Sequence, residues 1–105
     1  MQKSLGFIEL PNLADAIQAA DLMLKVADIK FETWEKKLGG RLVTIIISGN
    51  VAAVTEAVNH AKANAAGRIV ASAVIANPHE ELWKLIERSR SKYDFGLKPQ
   101  EISEV

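Results

Sequence analysis

The hexapeptide Leu42-Val43-Thr44-Ile45-Ile46-Ile47 constrains this chain more than any other stretch. It is apolar at odd and even positions alike, so as a strand it needs cover on both faces and belongs in the middle of a sheet. The segment feeding it, Lys36-Lys37-Leu38-Gly39-Gly40-Arg41, is basic and carries two adjacent glycines. Such a pair lets the backbone take positive φ and approach another group closely. Two readings stand: an ordinary hairpin tip, or a turn whose bare N–H groups meet anions.

Around this central strand the spacing predicts six further elements. Ser4 to Leu10, closed by Pro11-Asn12, reads as a first strand. Leu13, Ile17, Ala20 and Leu24 step at three and four residues and predict a helix to about Val26 with that stripe inward. Asp28 to Lys37 alternates and predicts a half-exposed strand. After Gly49-Asn50, the residues Val51, Val54, Val58 and Ala65 predict a second helix that stops at Gly67 as a C′ glycine. Arg68 to Ile75 reads as the fourth strand with Ala76-Asn77-Pro78 as its exit. Leu82, Leu85 and Ile86 predict a third helix over His79 to Arg90, ending in a basic turn that suits the helix dipole.

The order β-α-β-β-α-β-α, with a tight link only between strands 2 and 3, is an α+β, ferredoxin-like split βαβ arrangement plus a C-terminal helix. Such a fold stacks two helices on one sheet face and leaves the other to be covered. At 105 residues one domain is expected, over 1–90, followed by a tail over 91–105. A chain of this size buries about two-thirds of its unfolded surface.

Composition narrows the function. Lys plus Arg equals Asp plus Glu at 13 each, so no global field draws nucleic acid or an anionic membrane. Cysteine is absent, which removes disulfides, thiol nucleophiles and Cys-based metal sites and fits a reducing compartment. No apolar run reaches the roughly 20 residues of a membrane span, and Met1-Gln2-Lys3-Ser4 does not open a signal peptide. A soluble, intracellular protein is expected. His60 and His79 have no third ligand type at metal spacing, and Glu80-Glu81 sits where acids favour a helix N-terminus. Glu32 and Glu35 fall on opposite faces of the alternating, half-exposed second strand, Glu32 on the more charged one. No GxSxG, Walker A or GxGxxG pattern occurs, so neither catalytic residues, metal nor cofactor are expected.

Taken together, Leu5-Gly6-Phe7-Ile8-Glu9, Ala19-Ala20-Asp21-Leu22-Met23-Leu24-Lys25, Lys37-Leu38-Gly39-Gly40 before Leu42-Val43-Thr44, Ser48-Gly49-Asn50-Val51-Ala52-Ala53-Val54 and Val74-Ile75-Ala76-Asn77-Pro78-His79 carry a resemblance. In this order the chain resembles, over roughly 4–87, the single-domain, hexamer-forming shell proteins of bacterial microcompartments (BMC domain). The resemblance implies a structural subunit of a six-fold disc that tiles around encapsulated enzymes, with a central pore for small metabolites. It places Lys37, Leu38, Gly39, Gly40 and Arg41 at the pore, Gly40 narrowest. It also places Lys25, Asp28, Asn77, Pro78 and His79 at the hexamer edge, where Lys25 reaches a neighbouring hexamer and Asp21 and Asp28 flank its ammonium. The implied partners are further copies of the chain, other shell proteins and encapsulated enzymes. A ring of glycine turns around one axis, which converges backbone dipoles on a small, anion-tolerant opening, agrees with the pore.

Four departures from that family stand out. Relatives typically carry arginine where Asn77 stands, in a Pro-Arg-Pro-His segment, which points to an alternative role as an adaptor that does not tile alone. Arg41 replaces a third small residue. Strand 2 is one residue longer than usual between Lys25 and Lys37 and predicts a bulge or a shifted register. The tail with Tyr93, Phe95 and Leu97 is either a frayed end or a hook for cargo or another shell component. A further alternative, on fold alone, is a ligand-binding regulatory domain.

Overall fold

The structure is a computed structural model describing residues 3–37 and 41–92, with Lys37 described in its backbone. Seven elements follow in order: β1 (Ser4–Leu10), α1 (Leu13–Val26), β2 (Lys30–Lys37), β3 (Leu42–Gly49), α2 (Val51–Asn64), β4 (Ala71–Ala76) and α3 (Glu80–Lys92). The sheet runs β2-β3-β1-β4, and its three pairings are antiparallel. This is the predicted mixed α/β arrangement, with β1 and β3 in the middle.

Local chemistry explains both major helix starts. Asn12 caps α1, its Oδ1 accepting from the Asp15 amide at 2.9 Å, and Asn50 caps α2 by accepting from the Ala53 amide at 2.8 Å. Each satisfies a donor that the first helical turn leaves orphaned.

The main core lies between one sheet face and α1 with α2. Ile8, Leu10, Val43, Ile45 and Ile47 supply the sheet side, and Ala16, Ala19, Met23, Val54, Ala57, Val58 and Ala61 the helical side. Alanines on the inward helical faces bring backbone close to backbone. Gly6 matters here: a methyl group built on it meets Val54 Cγ1 at 2.7 Å, so the absent side chain lets α2 sit down on β1.

The opposite face, expected to lie open, is partly covered by α3. Leu5, Ile46 and Ile86 form a second buried cluster with Phe7, Leu82 and Trp83 packed around it. Fully burying one such large aliphatic side chain contributes about 1.5–3 kcal/mol.

Several boundaries and faces differ from the sequence reading. On α1, Ile17 and Leu24 point outward, 51% and 46% exposed, while the buried residues are Ala16, Ala19 and Met23. On α3, Leu85 is exposed. Helix α2 ends at Asn64 with Ala65 as its C-cap, so Gly67 is not the C′ residue. Gly67 instead passes against Asp15, whose side chain fills the space a Cβ needs. β2 begins at Lys30 rather than Asp28, β4 begins at Ala71 rather than Arg68, and α3 spans Glu80–Lys92.

Candidate functional site

The β2–β3 hairpin is the element to which the family resemblance assigns a pore. Its register brings Lys37 opposite Leu42 as the last pair before the turn. Leu38, Gly39 and Gly40 lie outside the described residues, and Arg41 beyond them is exposed. On the hairpin stem, Trp34 packs against the main core, carries the Lys36 ammonium 5.3 Å from its ring centroid, and meets Phe31 edge-on at 6.3 Å.

The bulge anticipated from the length of strand 2 is present. Pairing with β3 shifts between Phe31 and Thr33, so that Phe31 faces Ile47 and Thr33 faces Ile46. Glu32 is the extra residue, and the shift carries its carboxylate inward rather than to the solvated face that alternation assigned it. It is buried, accepts from Ser48 Oγ at 2.5 Å, and receives Arg90 of α3 at 3.2 Å. Next to it, Thr33 Oγ1 and Ser89 Oγ share a buried hydrogen bond at 2.9 Å. This network ties α3 to the sheet. Alternating charge gave no sign of it, and only the surplus residue hinted that the strand was irregular.

The residues assigned to an edge gather at the other end of the sheet. Lys25, in the last turn of α1, pairs with Asp21 at 2.8 Å, both side chains well exposed. Asp28, also exposed, follows in the connection to β2, and its carbonyl approaches Gly49 closely enough that a Cβ there would lie 3.3 Å away. Gly49 pairs with Ser4, and Ser4 with Ala76, which immediately precedes Asn77. Asp28 and Asn77 therefore flank one end of the sheet, while the Lys37–Leu42 pair lies at the other. Seven residue steps along β3 separate those ends by about 24 Å.

Asn77 adopts φ 51°, the left-handed region, where asparagine is tolerated better than most residues. Pro78 is buried, and exposed His79 caps α3: Nδ1 accepts from the Glu81 amide at 3.0 Å and the carbonyl from the Leu82 amide at 2.9 Å. His60 lies one turn from Asn64 within α2 and bonds to it. Among the described residues, no three His, Asp or Glu side chains gather as metal ligands, and no helix is long and apolar enough to cross a membrane.

One surface was missed by sequence reasoning. Edge strand β4 is exposed along all six residues, and Val70, Val74 and Ile75 lie open together with Ile17, Leu24 and Val51 elsewhere. A second apolar stripe on α1 was the signal available for it.

Comparison with known proteins agrees with this architecture. The family model described as BMC domain matches residues 4–78. The chain is 38% identical over 93 residues to the bacterial microcompartment shell protein PduA of Salmonella typhimurium, covering 87% of this chain and 98% of that protein. It is 38% identical over 95 residues to the carboxysome shell protein CsoS1C of Hydrogenovibrio crunogenus, covering 87% and 91%. The crystal structure of a microcompartment protein from Desulfitobacterium hafniense superposes with a TM-score of 0.73 at 29% identity, over 85% of this chain. This chain spans 49% of that longer one. On the matched span and on these identities, the chain belongs to the BMC domain family and is a structural shell-type subunit, not an enzyme.

Proposed function

We propose that this chain builds a bacterial microcompartment shell as a cyclic homohexamer, with the 37–41 turn at the six-fold axis and Lys25, Asp28, Asn77, Pro78 and His79 at the rim. What supports the reading is that Lys37 and Leu42, which flank the turn, pair at one end of the sheet, while Ala76, just before Asn77, and Gly49, beside Asp28, lie at the other. A strand pair running from axis to rim is the arrangement that a disc with a central opening and lateral contacts requires. The open β4 edge and the exposed apolar residues Val74, Ile75, Ile17 and Leu24 supply surface for copies to bury. Six turns rich in glycine then line a narrow opening with backbone dipoles, suited to small polar or anionic metabolites. Other shell proteins and encapsulated enzymes are the expected neighbours of such a disc. Light scattering tests the ring: a particle of six times the 11.5 kDa chain mass is expected, and a stable monomer at micromolar concentration overturns it.

A second reading, in which the hexamer serves as an adaptor and does not tile alone, is favoured by Asn77. Its left-handed backbone suits asparagine, whereas arginine there carries about 1–2 kcal/mol of local strain. Electron microscopy separates the readings. Extended sheets from the purified protein exclude the adaptor, and sheets formed only by Asn77→Arg support it.

A further inference from the structure

Between the flank of α3 and the sheet runs an apolar groove of about 360 Å³. Small-molecule sites typically measure about 300–1,000 Å³. Leu5 and Phe7 of β1 build its sheet side, with Ile46 of β3 opposite Phe7. Leu82 and Leu85 line the helix side, and Leu85 is 54% exposed although the wall it belongs to is apolar. An aliphatic body laid in the groove removes that leucine from water, which is favourable in proportion to the area covered.

One end of the groove is charged. Leu85, Arg88 and Lys92 follow at three- and four-residue steps and share one face of α3, aliphatic first and cationic after. Lys92 is already held by both oxygens of Glu35, at 3.2 and 3.3 Å. Ser89 is committed to Thr33 at 2.9 Å. Arg88 is exposed and makes no ion pair among the described residues. Its planar fork therefore has donors to spare beside an apolar channel. With Lys92 balanced by Glu35, the groove keeps one positive charge over, which matches one negative charge rather than two.

We propose that this groove binds an amphipathic monocarboxylate, its aliphatic body along Leu5, Phe7 and Leu85 and its carboxylate on Arg88. A wholly apolar ligand leaves the guanidinium unused, and a doubly charged phosphate brings one charge more than the groove offers. A carboxylate fits the fork of the arginine with both oxygens. The site needs one chain only, so it goes beyond the assembly argued above and does not rest on it.

Octanoate is the probe, titrated into the full chain by calorimetry and followed by amide NMR, with 1-octanol and octyl phosphate in parallel. One octanoate per chain is expected, bound more tightly than either analogue, with shifts concentrated at Phe7, Ile46, Leu85 and Arg88. Arg88→Gln is expected to weaken octanoate about five-fold, the scale of an exposed charged contact, and to leave octanol unchanged. Leu85→Ser is expected to weaken both. Both side chains are exposed, so the fold tolerates these changes. No binding at millimolar octanoate, an analogue that binds as tightly, or an Arg88→Gln protein that binds like the parent overturns the proposal. So does a different occupant. Shifts at these amides that follow protein concentration instead of octanoate assign the groove to a second copy, and an amidated apolar peptide that binds there where octanoate does not assigns it to a partner protein.

Discussion

Arg90 of α3 reaches the buried carboxylate of Glu32 at 3.2 Å, and that carboxylate is inside the fold because β2 holds one residue more than its partner strand. The bulge and the third helix therefore depend on each other. Without the extra residue Glu32 would not turn inward, and without Arg90 its carboxylate would keep Ser48 but lose its cation.

The consequence is measurable. Arg90→Ala removes the cation from a buried anion and is expected to cost about 1–2 kcal/mol, the low end for an under-satisfied buried charge because Arg90 itself is about half exposed. Glu32→Gln keeps an acceptor for Ser48 and should cost less than Glu32→Ala. Urea unfolding of the three variants gives the order, and equal losses would show that the charge does not hold α3.

Gly6 makes a separate prediction. A methyl group there meets Val54 at 2.7 Å, Ile47 at 3.0 Å and Val58 at 3.1 Å, all side chains in a packed layer. Gly6→Ala is expected to lose about 1–3 kcal/mol through overpacking. The double variant Gly6→Ala with Val54→Ala should recover part of that loss, since the smaller side chain vacates the nearest contact.

The order of elements and the break at Pro11-Asn12 were legible because they rest on local chemistry: a period, a cap residue, a proline. What stayed hidden depends on neighbours. Both Ile17 and Ala16 lie on apolar stripes of α1, and periodicity cannot say that the alanine stripe is buried; close approach of α1 to the sheet decides it. Gly67 was read as a helix stop, yet it is needed by the distant Asp15. Glu32 in an alternating strand looks solvated until the register shift is known. Of the candidate site, Asp28 and Asn77 lie next to paired residues at one end of the sheet, while Leu38, Gly39 and Gly40 lie outside the described residues.

Val74 tests whether the open edge is an assembly surface. It lies on edge strand β4 and is 37% exposed. A lysine on an edge strand blocks pairing and costs little in a lone chain. Val74→Lys is therefore expected to shift the scattering mass from ring to smaller species while the circular dichroism spectrum keeps its shape. A ring of unchanged mass would place the subunit contact elsewhere.

Lys25 separates local from lateral roles. Its pair with Asp21 is an exposed contact four residues apart on one helix, with about three-quarters of the lysine side chain in water, so it contributes at most about 0.5 kcal/mol to the fold. Lys25→Ala should leave the unfolding midpoint nearly unchanged. If the residue meets a neighbouring hexamer, the same change abolishes sheets or mixed assemblies in electron microscopy while the six-chain mass persists. Asp21→Ala distinguishes the two uses: it removes the intrahelical partner and leaves the ammonium in place, so assembly should survive it. Loss of assembly in both variants would mean that the ion pair, rather than the lysine alone, forms the lateral contact.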